Sequence, residues 1–178
     1  LERPQGVCIV SDDVIAVSCW GGGRGRSCIV LFGAGVDGGA ALRSFGPAGE
    51  GAEQLSNPQQ LCVSSDGKHL LVADSGMDRV SVFEVSSGTF VRHIGGEGGV
   101  LKGPFGVFVR PGGGIVVSSW GSHTVVVFGD SEGGDVVLKS FGEKGSGDGQ
   151  FQWPRHMCVV GGRLFVADHA NRRVQVFE

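Results

Sequence analysis

Leu70-Leu71-Val72-Ala73-Asp74-Ser75-Gly76-Met77-Asp78-Arg79-Val80-Ser81-Val82-Phe83-Glu84 decides the fold. Two apolar runs of strand length, rich in Val and Leu, flank a turn made of Ser, Gly and Asp. No 3.6-residue apolar period runs through them, so the stretch reads as a β-hairpin. Upstream lie Pro58, the apolar run Leu61-Cys62-Val63 and a turn at Ser65-Asp66-Gly67. Downstream, Thr89-Phe90-Val91-Arg92-His93-Ile94-Gly95 supplies one more strand. The same phrase opens at Pro4, Pro104 and Pro154. A cycle of roughly 50 residues built only from short strands predicts propeller blades.

The expected fold is therefore all-β, a β-propeller with four visible blade repeats and about 15 antiparallel strands. The chain reads as one propeller region, with blades at residues 1–46, 55–95, 101–142 and 151–178. The last blade stops at its third strand, which points to part of a larger ring or to a partial ring that self-association completes. A closed four-bladed ring with one three-stranded blade is the lesser alternative. The copies also alternate. Two and four share Val-Ala-Asp and an arginine (Asp74 with Arg79, Asp168 with Arg173), whereas one and three share Ser-x-Trp-Gly, at Ser18 to Gly21 and Ser118 to Gly121.

Val166-Ala167-Asp168, Asn171 and Arg173-Val174-x-Val176-Phe177 resemble the NHL repeat, and Phe141 to Pro154 is similar to the linker between NHL blades. The resemblance covers almost the whole chain. It is weakest in copy one, where Cys19 replaces the aspartate and residues 21–27 are inserted. It implies an NHL-type propeller, a class that mostly forms six-bladed rings and serves as an interaction scaffold. Peptide-amidating lyases carry such a propeller with a histidine-held zinc and a tyrosine. This chain has no tyrosine, which excludes that reaction for the residues in hand.

Composition narrows the function classes. The 34 glycines fall in turns and linkers, and the formal charge is −3. The 15 Lys and Arg are scattered, whereas nucleic-acid binding needs a concentrated basic footprint, so a nucleic-acid partner is disfavoured. No run approaches the roughly 18 apolar residues of a membrane span. Cys8, Cys62 and Cys158 share one repeat position, which copy three fills with Phe108, so a buried apolar slot is expected there. Cys19 and Cys28 flank the insertion, and whether they pair is open. The cysteine pattern favours a reducing, intracellular compartment.

Asp74, Arg79, Asp168, Asn171 and Arg173 recur, which suits structural positions better than catalytic ones. Five histidines are too dispersed for a zinc site, and His156 alone falls where a first strand lines the channel. No cofactor, metal or catalytic residue is expected. Trp20, Trp120 and His169 occupy one repeat position at the exit of the second strand, on a single rim, with His123 beside it. Arg24 and Arg26 lie in the insertion, where departures from a repeat tend to carry specificity. These six are the candidate contacts of a non-enzymatic scaffold that binds a protein partner. Two alternatives stand: a propeller hydrolase, lyase or lactonase whose centre lies partly in blades outside this chain, and the substrate-recognition module of a RING-type ubiquitin ligase.

Overall fold

The computed structural model describes residues 1–21, 28–33, 35, 39–96, 98–130 and 136–178. Among these residues, fifteen strands form four antiparallel sheets, arranged as a four-blade β-propeller. Blade 1 holds β1 (Pro4–Ser11), β2 (Val14–Cys19), β3 (Cys28–Gly33) and β4 (Ala41–Phe45). Blade 2 holds β5 (Pro58–Val63), β6 (His69–Asp74), β7 (Arg79–Glu84) and β8 (Phe90–Ile94). Blade 3 holds β9 (Pro104–Val109), β10 (Gly114–Ser119), β11 (Thr124–Asp130) and β12 (Val137–Phe141). Blade 4 has three strands, β13 (Pro154–Val160), β14 (Arg163–Asp168) and β15 (Arg173–Phe177). The only helical turn among the described residues is a 3₁₀ piece at Ser75–Met77. Among the described residues, no helix is long and apolar enough to cross a membrane.

The middle strands are apolar on both sides because both sheet faces are covered. Leu70 and Val72 of β6 pack with Ile29 and Leu31 of blade 1, while Leu71 and Ala73 pack with Val107, Ile115 and Val117 of blade 3. Val116, Val125 and Val127 join Met157 and Val166 between blades 3 and 4. The linkers plug these junctions. Leu55, Leu101 and Phe151 precede Pro58, Pro104 and Pro154 by the same interval, and each is fully buried.

Blade faces at the two ends of the series differ. Val107 and Val109 of β9 are 0% and 9% exposed, but their blade 1 counterparts Val7 and Ile9 are 65% and 75% exposed. Val174 and Val176 of β15 are likewise 61% and 51% exposed, against 0% and 4% for Val80 and Val82. Among the described residues, no apolar cluster joins blade 4 to blade 1. Cys158 lies on the open side of blade 4 and is exposed, unlike the buried slot expected for it, whereas Cys8 and Cys62 are partly covered. Burial pushes the Cys8 thiol up to about 12, so it is no nucleophile at neutral pH. Cys19 and Cys28 face each other across β2 and β3 as free thiols.

The alternation of copies has a hydrogen-bonded cause. Ser118 Oγ accepts from Gly106 N (2.7 Å) and donates to the Arg155 carbonyl in blade 4 (2.5 Å). Ser18 Oγ does the same between Gly6 N (2.9 Å) and the Gln59 carbonyl in blade 2 (2.6 Å). Blades 2 and 4 carry Ala73 and Ala167 at this place. Glycine is required opposite each serine, since a Cβ on Gly106 would stand 2.5 Å from the Arg155 carbonyl and 2.8 Å from Ser118 Oγ. Blades are thus laced in pairs, one with two and three with four. Ser118→Ala orphans a buried N–H and a carbonyl together, an expected loss of about 1–3 kcal/mol. Urea unfolding measures it, and a loss under about 0.5 kcal/mol would remove the lacing from the account.

Candidate functional site

The channel comes first, because propeller active centres are sought there. Gly6, Gln60, Gly106 and His156 hold equivalent places on the four innermost strands. Gln60 does not leave the channel blank, as the sequence suggested. Its side chain crosses to blade 4, with Nε2 donating to the Met157 carbonyl (3.0 Å) and Oε1 accepting from Met157 N (3.1 Å). The amide acts as a one-residue strand, passing over the space that Gly106 leaves empty. His156 packs edge-on against Phe105, with ring centroids 4.9 Å apart. Burial pushes its pKa down, against a hydrogen bond that the ring N–H donates to the Gln5 backbone, so neutral imidazole is favoured. Among the described residues, no three His, Cys, Asp or Glu side chains could hold a metal together.

Asp74 and Asp168 close the second strands of blades 2 and 4, and both are fully buried. Asp74 Oδ1 accepts from Ser56 N (2.9 Å) and Asn57 N (3.1 Å). Asp168 Oδ1 accepts from Gln152 N (2.7 Å), and its Oδ2 takes Asn171 Nδ2 (2.8 Å) and Arg173 Nε (2.9 Å). Arg79 reaches on to the Gly51 and Gln54 carbonyls (2.7 and 3.0 Å), and Arg173 to those of Gly147 and Gln150 (2.5 and 2.8 Å). Each carboxylate thereby fixes the glycine-rich linker entering its blade. Neither opens onto a cleft.

The rim is where aromatic surface collects. Trp120 leaves β10 and leans back over blade 2, donating from Nε1 to Ser75 Oγ (3.2 Å). Gly103 lies under the indole, where a Cβ would come within 2.0 Å of Nε1. Trp153 stands at the equivalent place before the next blade, with φ at +62°. Arg3 and Gly103 turn left-handed at the same place, with φ at +42° and +57°, so the conformation belongs to the repeat and the tryptophan to blade 4. The Trp153 backbone N–H donates to His123 Nδ1 (3.3 Å). The two indoles meet edge to face with centroids 6.4 Å apart, and Trp153 also lies 6.4 Å from the His169 ring. Trp120 and Trp153 remain 40% and 43% exposed.

Beneath them is a pocket of about 240 Å³ lined by Asn57, Ser75, Phe105, Trp120, Trp153 and Arg155. The Arg155 guanidinium stacks 5.0 Å from the centre of the Phe105 ring. Of the sequence candidates, Trp120, His123 and His169 meet here through Trp153. Trp20 stands apart beneath the Arg3 guanidinium, 5.0 Å from its ring centre. Arg24 and Arg26 lie outside the described residues. Sequence reasoning missed Trp153, Phe105 and Arg155. A tryptophan where blade 3 has glycine was the available signal.

No protein-family model matches the chain, and no curated protein matches it in sequence. Solved structures do resemble it. Hydrazine synthase of Kuenenia stuttgartiensis aligns over 100% of this chain and 46% of its own, at 17% identity and a TM-score of 0.72. Virginiamycin B lyase from Staphylococcus aureus aligns over 99% and 55%, at 14% identity and a TM-score of 0.66. The WD40 repeats of RRP9 align over 99% and 51%, at 17% identity and a TM-score of 0.66. These are similarities of propeller architecture, shared by enzymes and by WD40 repeats alike. The chain spans about half the length of the structures it resembles.

Proposed function

We propose that this chain is a non-enzymatic propeller module of NHL type that binds a protein partner through the rim at Trp120 and Trp153. The observation that carries the reading is the pair of half-exposed indoles, held edge to face over a pocket. Large rigid aromatics with little rotamer freedom to lose are the side chains that anchor protein interfaces. An enzymatic reading would need acid, base or nucleophile groups converging on a cleft. Here the channel is bridged by Gln60, the buried aspartates serve the linkers, and His156 stands against an aromatic ring.

Sister blades supply mild replacements for the test. Trp153→Gly reproduces Gly103, and Trp120→Ser reproduces Ser75, so neither should harm the fold. Affinity for the partner, captured by cross-linking from the source and then titrated, is expected to fall at least about 30-fold in the double variant. Trp20→Phe should leave it within about 2-fold. Unchanged affinity in a folded double variant would end the rim reading.

A further inference from the structure

The pocket beneath the two indoles has a one-sided hydrogen-bonding character. Asn57 Oδ1 is already engaged by Gln59 Nε2 (2.7 Å), which leaves its NH₂ as the group on offer. The Arg155 guanidinium and Trp153 Nε1 have no hydrogen-bond acceptor or ion-pair partner among the described residues. Ser75 Oγ accepts from Trp120 Nε1, so its own proton remains available. Each polar side chain facing the pocket thus has an unused donor, and one is a permanent cation. No carboxylate lines it. The acidic groups beside it are engaged elsewhere: Asp74 accepts from Ser56 N and Asn57 N (2.9 and 3.1 Å), Asp78 accepts from Gly103 N (2.6 Å), and Asp168 holds its linker. Lys102, His169 and Arg172 add exposed basic groups around the same rim. In a chain of net charge −3 this is a local reversal of sign.

We infer that the pocket takes the carboxylate side chain of an extended acidic peptide, with a neighbouring aromatic residue laid on the Trp120 and Trp153 faces. This rests on the rim-binding reading and narrows it to a ligand class. A volume of about 240 Å³ suits one Asp or Glu side chain with part of its neighbour. A carboxylate there meets the planar Arg155 fork and the Asn57 amide, in surroundings that apolar rings partly shield from water. Nucleic acid offers anions and flat bases too. It also needs a run of cationic contacts along its backbone, and the scattered Lys and Arg of this chain do not supply one.

The test uses the Trp20→Phe chain, so that indole fluorescence and the Nε1 resonances report only Trp120 and Trp153. The probes are the capped dipeptides Ac-Glu-Phe-NH₂, Ac-Gln-Phe-NH₂ and Ac-Lys-Phe-NH₂, with hexauridylate as the nucleic-acid comparison. Ac-Glu-Phe-NH₂ is expected to bind at least about 5-fold more tightly than its Gln isostere, with affinity falling as salt rises. Arg155→Gln should erase that preference while leaving the Gln dipeptide unaffected. Equal binding of the Glu and Gln probes, preference for the Lys probe, or indole shifts with hexauridylate alone would each overturn the acidic-peptide inference. So would the absence of any shift with all four probes. Those results leave rim binding to be judged separately by the partner-affinity loss in the Trp120→Ser, Trp153→Gly variant.

Discussion

Phe151→Ala is expected to remove about 3–5 kcal/mol of stability, a large fraction of what a domain of this size possesses. Phe151 is the linker plug between blades 3 and 4, fully buried and ringed by Phe141 at 6.4 Å and Phe177 at 5.6 Å between ring centres. Its removal leaves a cavity that rigid sheets on either side cannot close. Phe141 and Phe177 also line an open cleft of about 520 Å³ beside β15, where blade 2 instead has the Phe90 ring packed on Phe83. Blade 4 therefore starts with less cover than its neighbours. Hydrogen exchange should show β13 to β15 losing protection first, while blades 1 and 2 keep theirs. Val176→Ala, on the open face, should cost less than about 1 kcal/mol. A Phe151→Ala protein as stable as the parent would show that the linkers follow the blades and do not bind them together.

Asp168→Ala should cost about 3 kcal/mol, because one carboxylate satisfies four donors from two segments. Gln152 N, Asn171 Nδ2, Arg173 Nε and Gln175 Nε2 all lose their acceptor, and Arg173 loses the group that aims it at the linker carbonyls. The loss should depend on pH in a defined sense. Burial raises the pKa of Asp168, but those donors together outweigh it, so the carboxyl lies below the ordinary 3.8. Its contribution is therefore full above the unfolded value and disappears as pH falls through the lower folded value.

Asp74, at the matching place in blade 2, runs the other way. Burial dominates, with Arg79 Nε 3.7 Å from the carboxylate and only backbone N–H groups in close contact, and its pKa is raised. The stability it contributes is full below the unfolded value and is lost as pH rises through the folded one. Carboxyl ¹³C titration should place the Asp74 midpoint above 3.8 and that of Asp168 below it. The reverse order would refute the assignment of donors.

The blades were legible because their signals are local. Alternating Val, Leu and Phe between Gly, Asp and Ser turns mark strands wherever they occur, and the proline opening each cycle sets the phase. The rim was legible only in part. Trp120 and His169 announce themselves by sharing a repeat position, whereas Trp153 looked like one more residue ahead of a proline. Its importance comes from two neighbours in another blade, Trp120 and His123, neither of which is written near it in the chain. Gln60 was opaque for a similar reason. A glutamine on an inner strand reads as a solvated side chain until Gly106 is seen to clear a path to Met157. Ser18 and Ser118 were visible as a pattern, but the partner each bonds lies in a different repeat.

The serine lacing has a consequence for descent. The serine and its glycine lie in one blade, so a DNA segment encoding a single blade carries the matched pair intact. Toward the next blade the hydroxyl needs only a main-chain carbonyl, which a strand of any sequence supplies. The lacing therefore sets no bar to blades being gained or lost one at a time, and serine and glycine are expected to be inherited or lost together.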